Sequence, residues 1–95
     1  MSPRVFAALA ASGLVSACAL PPEGVGQEEL AAFDEAVASI GCDLVGETDY
    51  LPVELQTGLT REQVIEVAEF RLASEQAVSL SNGGIRLITG ECAPE

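Results

Sequence analysis

The spacing of apolar residues divides the chain into stretches of different rhythm. Val5 to Val15 (VFAALAASGLV) is an uncharged, mostly apolar run of eleven residues behind Met1-Ser2-Pro3-Arg4. A bilayer crossing needs about 20 such residues, so the run does not span one. A cationic start, a short apolar stretch and small residues behind it have the layout of a cleaved secretory signal, which places residues 1–17 outside the mature fold. Ala19 to Gln27 (ALPPEGVGQ) has no period and carries two prolines and two glycines, so residues 18–27 read as a flexible tether. Such a segment has a reach of roughly 15–20 Å.

Helical rhythm follows. Leu30, Phe33, Val37 and Ile40 recur at three- and four-residue intervals and predict a first helix over about Glu28 to Gly41. Glu28 and Glu29 fall in its first turn, where the helix dipole favours anions, and Gly41 is a natural terminator. Cys42-Asp43-Leu44-Val45 fits a short strand. Thr48 or Asp49 can cap a second helix over about Tyr50 to Thr57, with Pro52 in its first turn and Gly58 at its end. Thr60 and Gln63 have the spacing of a capping box and open a third helix whose apolar stripe is Val64, Ile65, Ala68 and Leu72. Thr57-Gly58-Leu59-Thr60 is then a tight joint between two helices.

The last part of the chain alternates. Ala77 to Ser81 and Gly84 to Thr89 flank Asn82-Gly83, the dipeptide preferred in two-residue type I′ hairpin turns. That turn sets Leu80 opposite Ile85 and Val78 opposite Leu87, with Ser79 and Arg86 on the other face. The order helix, short strand, helix, helix, hairpin makes an α+β fold and resembles a winged-helix domain over residues 28–92, with residues 93–95 as a tail. The likeness is one of element order and spacing, and an α+β miniature of different handedness fits the same pattern. It implies that the short strand runs antiparallel to the last strand, so that Cys42 and Cys92 lie at neighbouring ends.

Charge narrows the function classes. Fifteen acidic residues face four arginines, with no lysine and no histidine, for a net charge of −11. Nucleic-acid affinity comes from cationic side chains displacing counterions, which this composition does not provide. Lack of histidine removes Ser-His-Asp and Cys-His catalysis and imidazole zinc ligands. With no tryptophan and one tyrosine there is also no aromatic platform for bases or sugars. Loss of residues 1–17 would discard Arg4, leaving Arg61, Arg71 and Arg86 against the same fifteen carboxylates, a net charge of −12.

Val15-Ser16-Ala17-Cys18 resembles the lipobox of bacterial lipoprotein precursors, although Val stands where Leu is more usual. The resemblance covers those four residues and the signal before them. It implies lipidation of Cys18, and, with Ala19 following, sorting to the outer membrane on its periplasmic face. Ordinary signal-peptidase cleavage after Ala17 or Ala19 is the competing reading, giving a soluble periplasmic or secreted form. Three cysteines leave one over in an exported protein. Lipidation of Cys18 would leave Cys42 and Cys92 to pair in an oxidising compartment. At 50 positions apart they suit a structural bridge and not a redox dithiol. In the chain-entropy description a loop of that size is worth on the order of 4 kcal/mol, a useful contribution to so small a body.

The outward face of the third helix carries Glu62, Glu66, Glu69, Phe70 and Ala73. Its carboxylates would repel phosphate at the position where winged helices read DNA. Phe70 either anchors a partner within this acidic rim or is covered by helix bending, the tether or the hairpin. No cofactor is expected, and no Asp-x-Asp-x-Asp-Gly loop is present for calcium. Ser81-Asn82-Gly83-Gly84 joins strand to strand and reads as a turn, not a phosphate cradle, and Tyr50 and Arg86 read as ordinary surface or edge residues. Together these features predict no enzyme, but a lipid-anchored binding or structural module of a larger bacterial envelope complex. Its partner would be an envelope protein with a basic or amphipathic surface. A released, soluble inhibitor or regulator of an envelope enzyme is the alternative.

Overall fold

The computed structural model describes residues 20–94. The expected signal (residues 1–17), the lipobox-like Val15–Cys18 and the lipidation candidate Cys18 lie outside the described residues. The elements run α1 (Gln27–Ser39), β1 (Asp43–Leu44), α2 (Glu47–Thr57), α3 (Arg61–Ala73), β2 (Ala77–Ser79), β3 (Ile85–Leu87) and a 3₁₀ turn (Gly90–Cys92). The fold is α+β: three helices and an antiparallel sheet of order β1-β3-β2.

α1 begins with Gly26 as its cap, and the Glu29 carboxylate accepts the Gly26 N–H at 2.8 Å. Val25 and Leu30 occupy the two positions of a hydrophobic staple, and both are buried. The expected tether is therefore seated at its far end, where the Val25 N–H also donates to the Pro22 carbonyl at 3.1 Å. Leu30, Phe33, Ala36 and Val37 form the buried stripe. The helix ends in a Schellman motif: the Cys42 N–H donates to the Val37 carbonyl at 2.9 Å and the Gly41 N–H to Ala38 at 3.2 Å. Gly41 takes φ +103°, as a terminator requires, and Cys42 follows at φ +76°.

α2 starts earlier than its polar residues suggest. Gly46 is the cap, and Asp49 lies inside the first turn with Oδ2 accepting from the Val45 N–H at 2.9 Å. The expected Thr48 or Asp49 cap is thus replaced, because a carboxylate three residues into the helix can satisfy the entering N–H groups as well as a capping one. Pro52 consequently falls in the second turn, where its missing N–H leaves the Thr48 carbonyl without the usual helical partner. α3 starts as expected, with the Gln63 N–H donating to Thr60 Oγ1 at 3.1 Å and the Thr60 N–H to Gln63 Oε1 at 3.0 Å.

The buried stripe of α3 is Val64, Val67, Ala68 and Arg71, not Val64, Ile65, Ala68 and Leu72. The helix is turned by roughly 60° from the expected orientation, counting 100° per residue. Arg71 takes a core-facing position because Asp34 of α1 meets it there. Ile65, at 37% accessible, faces outward.

The hairpin forms in a different register from the one expected. Val78 pairs with Arg86, Ala77 with Leu87 and Ser79 with Ile85. The loop is the three residues Ser81-Asn82-Gly83: the Gly83 N–H donates to the Leu80 carbonyl at 3.1 Å, and the Leu80 N–H to Gly84 at 2.8 Å. This type I turn closed by a bulge asks a positive φ of Gly83 alone, which has +94°, whereas the two-residue type I′ turn would demand it of Asn82 too. The one-residue slip turns Val78 outward, at 42% accessible, and leaves Ala77 inside beside Leu87.

β1 lies antiparallel to β3, with Asp43 opposite Arg86 and Leu44 opposite Ile85. The Leu87 N–H extends the pairing to the Cys42 carbonyl at 2.9 Å. Cys42 and Cys92 are joined by a disulfide with Cα atoms 5.7 Å apart, the pairing expected once Cys18 is set aside. Phe33, Val37, Leu44, Val53, Val64, Val67 and Leu87 are the largest fully buried side chains, drawn from all three helices and two of the strands.

Candidate functional site

Rotation of α3 decides what its outer face offers. Glu62, Glu66, Glu69 and Ala73 remain exposed. Phe70 does not stand among them as a free anchor: it is half-buried and packs against the core. The Arg71 guanidinium lies 5.8 Å from its ring centroid. The structure thus keeps the three glutamates together on one helix face and draws the aromatic ring aside.

The arginines of the described residues are each committed to carboxylates of the same molecule. Arg71 Nε and Nη2 grip both oxygens of Asp34 on α1, at 3.1 and 2.8 Å, and its Nη1 reaches Gln76 just before β2. Arg86 holds both oxygens of Asp43 across the β1–β3 pair, at 2.7 and 3.0 Å. Arg61 holds Glu47 through both oxygens, at 3.0 and 2.9 Å, and donates to Glu54 as well, so it spans α2. Its guanidinium also lies 5.0 Å from the centroid of Tyr50. Bidentate pairs of this kind fix orientation as well as charge.

The pKa directions follow these contacts. Hydrogen bonds from Arg86 hold the Asp43 carboxyl below its ordinary range, and those from Arg61 do the same for Glu47. Arg61 and Arg86 are raised by the same bonds. Burial raises Asp34 against the opposing pull of Arg71. These groups act as structural struts, leaving Glu62, Glu66 and Glu69 outside that network of ion pairs.

Sequence reasoning missed this network and an apolar group beside it. Tyr50 and Arg86, read as ordinary surface residues, are respectively stacked under Arg61 and clamped on Asp43. Asp43 and Arg86 become recognisable partners once β1 is paired with β3, since they are directly opposite. Leu51 and Leu55, one turn apart on α2, stand 49% and 77% accessible, although their neighbour Val53 is fully buried.

Two grooves flank α1. One, of about 270 Å³, is lined by Ala31, Asp34, Glu35, Ala38, Gly90 and Glu91. The other, of about 310 Å³, is lined by Glu28, Glu29, Ala32 and Thr57. Both are at or just below the lower end of ligand-pocket size, with carboxylates and alanines together among their lining residues. Among the described residues no cluster of three or more carboxylates and thiols is placed to hold a metal ion. No family model, curated protein or solved structure matches the chain.

Proposed function

We propose that the protein is an exported, lipid-anchored module of the bacterial envelope that binds a basic or amphipathic partner protein within a larger complex. The observation that carries this reading is the exterior of α3. Glu62, Glu66 and Glu69 are exposed together, while Arg61, Arg71 and Arg86 are tied up in internal ion pairs. Such a surface attracts cationic partners and repels phosphate and anionic lipid. Cys18, joined to the domain by the segment around Pro21 and Pro22, would carry the lipid. The Cys42–Cys92 disulfide supports export, because such bonds persist in oxidising compartments. Half-burial of Phe70 moves its role from anchor to support for α3, so the glutamates are the partner-binding residues of this reading.

The intact mass of the mature protein, before and after reduction, tests the address. A diacyl or triacyl increment on a chain beginning at Cys18 is the expected result, with a gain of two hydrogens on reduction. A chain beginning at Leu20 without lipid overturns the anchored form. Chemical cross-linking in whole cells tests the binding role: Glu62→Gln, Glu66→Gln and Glu69→Gln together are expected to abolish a cross-linked product that wild type gives. An unchanged pattern overturns the role of this face.

A further inference from the structure

We infer that the docking surface combines the exposed Leu51–Leu55 ridge of α2 with Ile65 and the exposed Glu62, Glu66 and Glu69 of α3, and that its occupant is a cationic amphipathic helix. This rests on the proposed binding of a basic partner and assigns it a location. Leu51 and Leu55 form an i, i+4 ridge on the side of α2 away from Val53, and they are 49% and 77% accessible. Ile65 is one turn beyond Arg61 on α3, with Glu62, Glu66 and Glu69 one helical step or turn from it on the same outward side. Arg61, itself at the surface, ties the start of α3 to α2 through Glu47 and Glu54, so the helices that carry the ridge and the glutamates hold a constant relation. Ridges on one helix pack into the grooves between side chains of another, so an exposed leucine ridge suits the apolar face of an amphipathic helix.

Charge selects among possible occupants. A second copy brings a further net −11 to the contact, and an anionic membrane surface brings negative charge too. A helix with leucines toward Leu51 and Leu55 and lysines or arginines toward Glu62, Glu66 and Glu69 satisfies both parts of the surface. Of the two readings the sequence leaves for Phe70, the covered one holds, and the two leucines, which are accessible, take the place of an anchor.

The test uses the oxidised domain and a synthetic Leu/Lys peptide whose leucines repeat at helical spacing, with a scrambled isomer of the same composition as control. Titration by calorimetry and amide chemical-shift mapping is expected to place the amphipathic peptide on α2 and the first turns of α3. Leu51→Ser with Leu55→Ser, at exposed sites that leave the core intact, is expected to weaken binding about tenfold or more, the loss typical of an interface anchor. The scrambled isomer is expected to bind at least about tenfold more weakly than its parent. If the leucine variant binds as wild type does while the triple glutamine variant loses binding, the partner is cationic but sits elsewhere, and this inference falls alone. If neither peptide binds wild type, the cationic-partner reading falls with it. If wild type forms dimers that the leucine variant abolishes, the ridge belongs to a second copy and the inference is overturned.

Discussion

Replacing Gly84 with alanine tests the packing that fixes the sheet. Gly84 is buried where the hairpin meets β1, and its φ is not in the left-handed region, so an alanine there suffers no intrinsic backbone strain. The added Cβ would stand 2.6 Å from the Leu44 carbonyl oxygen, 2.7 Å from Val45 Cα and 2.8 Å from Val45 Cγ2. Ordinary contact begins near 3.4 Å, so β1 must retreat by about 0.8 Å. It is poorly placed to do so, because Leu44 is in the core and Cys42 is tied to Cys92. Overpacking of this kind costs about 3 kcal/mol, against which the stiffer unfolded chain returns about 0.5–1 kcal/mol. A net loss of about 2 kcal/mol corresponds to a fall in Tm of roughly 8–16 °C for a domain of this size.

Two other glycines separate the causes. Gly83→Ala meets open space but has φ +94°, so it tests left-handed strain alone and should cost about 1–2 kcal/mol. Gly46→Ala meets open space at φ −133°, and its weaker capping and its stiffening of the unfolded chain should cancel to within about 0.5 kcal/mol. Thermal unfolding by circular dichroism with the disulfide intact ranks the three. Hydrogen exchange adds a local readout, since the Leu87 amide bonded to Cys42 should lose protection in Gly84→Ala. A Gly84→Ala protein melting within about 2 °C of wild type, with that amide still protected, would refute the packing argument.

Glu75 takes φ +63° at the end of α3, closing a Schellman motif in which the Gln76 N–H reaches the Arg71 carbonyl. Glu75→Gly should therefore raise stability by about 1 kcal/mol, read by urea unfolding, and a decrease would contradict the strain assignment. Cys42→Ser with Cys92→Ser should remove up to about 4 kcal/mol, measured the same way, and a loss below about 1 kcal/mol would mean that the bridge adds little to the fold. Arg86→Gln removes the partner that lowers Asp43. A carboxylate lowered in the folded state contributes stability above its unfolded pKa, so the wild-type advantage should be full at neutral pH. It should vanish as pH falls below the ordinary carboxylate range near about 4. Melting curves of the pair between neutral pH and strong acid check this, and an advantage that grows on acidification would reverse the sign.

Features that rest on local rules are legible in the sequence. Leu30, Phe33 and Val37 are on one side of α1, Thr60 and Gln63 cap α3, Gly41 ends α1, and Cys42 meets Cys92. Each depends on spacing along a few residues or on elimination among few cysteines. What escaped depended on partners distant in sequence. Arg71 breaks an otherwise regular stripe of Val64, Val67 and Ala68, and only Asp34, 37 positions earlier, makes its burial tolerable. A stripe drawn through Val64, Ile65, Ala68 and Leu72 passed over Val67 and Arg71 and set Phe70 on the outer face. The hairpin register escaped similarly. Asn82-Gly83 signals a tight turn, but the close approach of β1 to Gly84 and the lower conformational demand of a three-residue loop select another pairing. Val25, amid prolines and glycines, belonged to a staple recognisable from Glu29 and Leu30 once Gly26 is taken as the cap.

The ion pairs are poor candidates for the main source of stability. The clamps at Asp43 and Glu47 are on the surface, where solvent screening leaves such pairs only a small contribution. A disulfide across 50 positions is worth more in the chain-entropy description, on the order of 4 kcal/mol. The pairs have a larger consequence for the charge map. Asp34, Asp43 and Glu47 are drawn into contact with guanidinium groups, Glu54 shares Arg61, and Glu29 and Asp49 bond to helix-entry N–H groups. Carboxylates that brace the fold are thereby separated from those of α3 that do not. A cation approaching this side of the domain meets Glu62, Glu66 and Glu69 exposed together, beside exposed Ile65. In a body with no lysine or histidine, moving an arginine is the direct way to change that map. An arginine introduced at Glu66 should weaken a cationic partner more than the same change at Asp43, even though the latter breaks an existing ion pair.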